Sequence, residues 1–199
     1  SALQCEVCAS REQSCSGPMQ PCAPSEGTCV TVVAETRLEV ILCFSSTEGY
    51  SFSYTAKSCL EPKNCEPGPF SLTYVQNVTM RVNIACCDTD GCNAGAIPVP
   101  TVSSVPNGRQ CPTLFKVEPF NRQGSGILAC TGAKDDCVDE SGRLTVGDIK
   151  VTKIVAGCVS PGACMKRVGE RKFAQGVVEW LIRVNCYPAP RAGRGIGEP

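Results

Sequence analysis

Seventeen cysteines in 199 residues, with no histidine, limit the chemistry open to this chain. Thiolates are nucleophiles and metal ligands, and Cys5 and Cys8 stand in the C-x-x-C spacing that begins many zinc sites. No second C-x-x-C follows, and a thiolate site would leave most of the other cysteines unused. The lack of histidine removes Ser-His-Asp and Cys-His pairs, imidazole ligands and His-based acid–base catalysis together. Neither a catalytic residue nor a metal or cofactor site is therefore expected, and the chain reads as a binder rather than an enzyme. Cysteine at this density implies a disulfide scaffold made in an oxidising compartment, hence a secreted, extracellular protein.

The elements that must hold these cysteines are strands. Aromatic residues are only 6% of the chain while Gly and Pro together number 34, so small cross-linked cores are expected rather than one large one. Residues 94–110, AGAIPVPTVSSVPNGRQ, have linker composition. On either side the cysteine spacing repeats. Cys22 to Cys29 and Cys130 to Cys137 are steps of seven, and Cys59 to Cys65 and Cys158 to Cys164 are steps of six. Such agreement marks duplication of a unit of about 90 residues. Period-two alternation places Met80, Val82 and Ile84 in phase with Cys86, and Val178, Trp180, Ile182 and Val184 in phase with Cys186, which predicts that each set forms the buried face of its strand. Tyr50, Phe52 and Tyr54 alternate with serines in a further strand, and no long helical period occurs.

The opening C-x-x-C and the closing CCDTDGCN at Cys86 to Asn93 resemble the Ly-6/urokinase-receptor family of three-finger domains. The resemblance implies an all-β fold of two tandem disulfide-rich three-finger domains: residues 1–93, with ten family cysteines plus Cys43; a linker, 94–110; residues 111–187, with six cysteines; and a flexible tail, 188–199. The family pairing, carried over residue by residue, joins Cys5 to Cys29, Cys8 to Cys15, Cys22 to Cys59, Cys65 to Cys86 and Cys87 to Cys92. The second unit lacks counterparts of Cys8, Cys15, Cys87 and Cys92, so whole bonding pairs are missing. Its remaining pairs are Cys111 to Cys137, Cys130 to Cys158 and Cys164 to Cys186, each worth about 3 kcal/mol through the unfolded chain. Cys43 is left over, either as a free thiol among apolar neighbours or as an intermolecular bridge.

Within that family the chain is most similar to the gamma-type phospholipase A2 inhibitors with two such domains. The segments that carry this are Leu3 to Cys8, Cys92 to Pro100, Cys111-Pro112 and Cys186 to Pro190. The resemblance implies a secreted protein that inhibits secreted phospholipase A2 by steric occlusion, with a protein partner, no nucleic acid and, if it assembles, non-covalent association. The alternative is a cell-surface or extracellular adhesion and signalling module of the urokinase-receptor type. No apolar run approaches the roughly 20 residues that span a bilayer, and the start at Ser1 reads as that of a mature chain. Asn77-Val78-Thr79 is a glycosylation sequon.

Charge is divided unevenly. Residues 1–98 carry five basic and ten acidic side chains, residues 99–199 fourteen and nine. Either the two units attract each other, or the acidic unit faces a basic partner and Lys166, Arg167, Arg171 and Lys172 meet an anionic surface. The second finger of the first unit, Cys29 to Cys59, is nine residues longer than its counterpart. Its Tyr50, Phe52 and Tyr54, with Glu35, Glu39 and Glu48 nearby, are the candidate partner-binding residues; the alternative is that the aromatics pack against a neighbouring finger or the second unit.

Overall fold

A computed structural model describes residues 1–41, 47–75, 78–119, 122–165 and 167–193, without the side chains of residues 38–41, 47–50, 122 and 165. Cys43, Asn77 and Lys166 lie outside the described residues, as does the side chain of Tyr50.

The chain is all-β, and among the described residues helix is confined to two 3-10 turns, Pro62–Asn64 and Pro161–Met165. In the first half, β1 (Gln4–Glu6) pairs with β3 (Met19–Pro21), while β2 (Cys8–Ser10) adds to the edge of β5 (Thr47–Leu60). Strands β4 (Thr28–Ile41) and β5 form one long hairpin, and β6 (Gly68–Val75) and β7 (Val78–Cys87) a second. The second half is three hairpins: β8 (Pro106–Glu118) with β9 (Arg122–Thr131), β10 (Asp136–Val146) with β11 (Ile149–Val159), and β12 (Gly169–Ala174) with β13 (Val177–Pro188).

Antiparallel pairing runs continuously through both halves in the order β12-β13-β10-β11-β6-β7-β4-β5-β2. The seam is the short pairing of β11 with β6, Cys158 opposite Thr73 and Val159 opposite Leu72, extended by the Ser160 amide donating to the Ser71 carbonyl at 2.9 Å. Gly157 permits it, because a Cβ there would overlap the Thr73 carbonyl.

Composition points to a small core for each half, but the hydrophobic core is shared. Val30, Val32, Ala56, Leu60, Val82 and Ile84 of the first half pack with Ala174 and Val177 of the second. Leu72 and Tyr74 pack with Val138, Val155, Val159 and Ala163. Period-two alternation explains why both halves contribute: each half of the sheet turns one apolar face inward, and the two faces cover each other. Disulfide clusters cap this core at Cys5, Cys22, Cys29 and Cys59, and at Cys111, Cys130, Cys137 and Cys158.

In β7 the inward face carries Met80, Val82, Ile84 and Cys86, all buried or half-buried. In β13 the expected face is wrong. Val177, Glu179 and Leu181 are buried, whereas Trp180 and Ile182 are 50% and 63% exposed. The cause is a break in register against β10, where Ser141 opposes Arg183 but the next residue, Gly142, opposes Leu181. Ile182 is the extra residue, and a bulge reverses side-chain parity along a strand. The alternation ending at Cys186 therefore belongs to the core only from Val184 onward. Gly142 fits beneath the bulge because a Cβ there would meet the Trp180 carbonyl.

Candidate binding surfaces and the buried charge network

Eight disulfides join Cys5 to Cys29, Cys8 to Cys15, Cys22 to Cys59, Cys65 to Cys86, Cys87 to Cys92, Cys111 to Cys137, Cys130 to Cys158 and Cys164 to Cys186. The sulfurs of Cys5, Cys22 and Cys59 gather at one point, as do those of Cys111, Cys130 and Cys158. Each belongs to a bridge and so offers no thiolate to a metal. Asn93, which closes the C-N signature, is buried and holds the N-terminal strand: it accepts from the Glu6 amide and donates to the Glu6 carbonyl, both at 2.9 Å.

The charges missed in the sequence are the buried ones. In the first half, Lys57 donates to Glu6 at 2.6 Å, and this bond holds the Glu6 carboxyl below its ordinary value against the opposing effect of burial. Burial also acts to raise Glu35, but Arg81 and Arg37 outweigh it and lower its pKa. Glu35 is thus an internal anchor, 2% exposed, and is withdrawn from the acidic ring expected around the aromatic finger. In the second half, Lys153 lies between Glu140 and Glu179, 2.6 Å from each, with all three buried. Burial alone would lower Lys153, but the two carboxylates raise it, so it stays an ammonium and is no nucleophile near neutrality. Burial, then Glu140 and Glu179, push Tyr74 well above its ordinary value. Period-two patterning could have located Glu140 and Lys153, which fall at inward positions of β10 and β11, but not Glu179, whose side is set by the bulge in β13.

The uneven charge is partly spent between the two halves. Arg171 pairs with Glu66, and Lys172 lies 3.7 Å from Glu26. Two of the four cations expected to meet an anionic surface therefore bind acids of the first half, and Arg167 stays exposed.

The aromatic finger divides similarly. Tyr54 and Phe52 occupy the inward face of β5, opposite Ala34 and Thr36. Tyr54 packs into the shared core, with its hydroxyl close to Gly147 of the second half. Phe52, two residues nearer the hairpin's turn, is 66% exposed.

Residues 3–94 match the family model for phospholipase A2 inhibitors, and residues 107–188 match the u-PAR/Ly-6 domain. The phospholipase A2 inhibitor 31 kDa subunit of Naja kaouthia is 30% identical over 188 residues, 93% of this chain and 92% of that protein. The phospholipase A2 inhibitor NAI of Notechis ater is 27% identical over 195 residues, 96% of this chain and 89% of that protein. The urokinase plasminogen activator surface receptor of Bos taurus is 25% identical over 175 residues, but these are 46% of that receptor. A duplicated three-finger framework with this cysteine pattern, matched nearly end to end, means that the chain belongs to the phospholipase A2 inhibitor family of paired u-PAR/Ly-6-domain proteins.

Proposed function

We propose that this chain is an extracellular binding protein that inhibits a secreted phospholipase A2 by covering its substrate entry, with no chemistry of its own. The observation that carries the reading is the near full-length likeness to the cobra inhibitor subunit. The alternative, an adhesion or signalling module, rests on the weaker likeness to part of the bovine receptor. Two three-finger units, 1–93 and 111–187 joined by 94–110, would act as one rigid body because they share a core. Assembly would be non-covalent, and Asn77 would carry a glycan.

The partner would meet the long β4–β5 finger, where Phe52 is exposed. An exposed aromatic on an extended hairpin supplies buried contact area at low entropic cost. Phe52→Ala is expected to weaken binding to a basic secreted phospholipase A2 by about 2 kcal/mol, roughly 30-fold in Kd, with the thermal midpoint unchanged. Calorimetric titration of both proteins checks this. Wild-type affinity in the variant would move the contact off this finger, and absence of any binding by the wild type would overturn the function itself.

A further inference from the structure

The bulge in β13 puts the chain's single tryptophan outside. Trp180 and Ile182 stand on the outer face of β13 with half-buried Val178. Val168, 63% exposed, stands beside them, because it precedes Gly169, which pairs with Leu181. None of these side chains contributes to the core, since the opposite face of the same strand, through Val177, packs on the first half. A contiguous apolar strip left outside calls for an explanation.

Cations flank the strip. Arg143 is opposite Trp180 on β10, and Lys150 of β11 is opposite Thr145, which is itself opposite Val178. Both cations are exposed. Ion pairs on this face join Lys116 to Glu118 and Arg183 to Asp139, and leave Arg143 and Lys150 without one among the described residues. Arg167 adds a third exposed cation beside Val168, and Glu170, opposite Trp180 on β12, is an exposed acid on the same face. Shallow hollows of about 470 and 610 Å³ share Arg143 and Thr145 and run across the face.

We propose that this face seats the protein on an anionic lipid–water interface. Trp180 and its aliphatic neighbours would enter the headgroup boundary while Arg143 and Lys150 meet lipid phosphates, the division of labour found at interfacial anchors. Projecting apolar side chains on a shallow, basic-rimmed sheet suit a soft anionic surface better than a shaped protein pocket. The uneven charge gives the neutral chain a dipole that turns the second half towards an anionic surface. This is separate from the inhibitor reading and uses a different face.

Because Trp180 is the only tryptophan, its fluorescence reports the face without a label. The intact disulfide-bonded protein is titrated with phosphatidylglycerol vesicles and with phosphatidylcholine vesicles, and bound protein is measured by co-sedimentation. A blue shift, quenching by brominated acyl chains and co-sedimentation are expected with phosphatidylglycerol, weakened by high salt. Ile182→Ser should lower partition about tenfold, and Arg143→Gln with Lys150→Gln should abolish the preference for the anionic lipid, all with the thermal midpoint retained. Three outcomes would overturn the proposal: no shift and no co-sedimentation, co-sedimentation with Trp180 emission unmoved, or a blue shift that needs an acidic polypeptide or high protein concentration rather than lipid.

Discussion

Lys153→Met is expected to lose about 3–5 kcal/mol of stability at neutral pH. The substitution keeps the volume and apolar stem of the side chain but leaves Glu140 and Glu179 buried without the cation they share at 2.6 Å. Arg171 stays 3.9 Å from Glu179, but a desolvated carboxylate that loses its nearest cation is among the costliest defects a core can carry. The sign with pH follows from the raised pKa of Lys153. A lysine held above its ordinary value of 10.5 contributes in full below that value, and the contribution is lost only as pH rises through the folded value. The whole deficit should therefore be present at neutral pH. Adding Glu140→Gln should recover part of it. Urea midpoints of the three proteins measure this. A deficit under about 1 kcal/mol would mean that the triad behaves as a hydrated surface pair.

The second large effect concerns the seam. Gly157→Ala is expected to lose about 3 kcal/mol or more, the upper end of overpacking costs, because the added methyl meets a backbone carbonyl rather than a side chain that can turn away. Only separation of β11 from β6 relieves the overlap, which would expose Leu72 and Val159, both fully buried. The disulfides of each half would survive, so the defect should show as loosened docking: faster amide exchange at Ser160 and easier proteolytic cleavage within 94–105, with the β4–β5 hairpin still protected. Wild-type exchange at Ser160 would show that the two halves are not welded along this pairing.

What was legible in the sequence followed from local rules. The strands of β7 and β5 were readable because their alternation is unbroken, and the duplication because cysteine steps of seven and six recur across the linker. The face of β13 was misread because a bulge depends on pairing with β10, and no period within β13 alone records it. Gly142, a glycine inside a strand pattern, was the available clue. The shared core was unreadable for a related reason: inward residues such as Leu72 and Val155 look alike whether they meet their own half or the other. Glu35 looked like surface charge because Arg81, its partner 46 residues away in sequence, becomes a neighbour only once β4 and β7 pair.

The measurement that bears most directly on the function is hydrolysis of micellar phospholipid by a basic secreted phospholipase A2, titrated with the purified, disulfide-intact chain. Occlusion predicts that activity falls in proportion to the complex formed, and that the enzyme regains full activity, with unchanged mass, once the complex is dissociated. Unaltered hydrolysis at micromolar concentrations of the chain, or a loss of activity that outlasts dissociation, would contradict it.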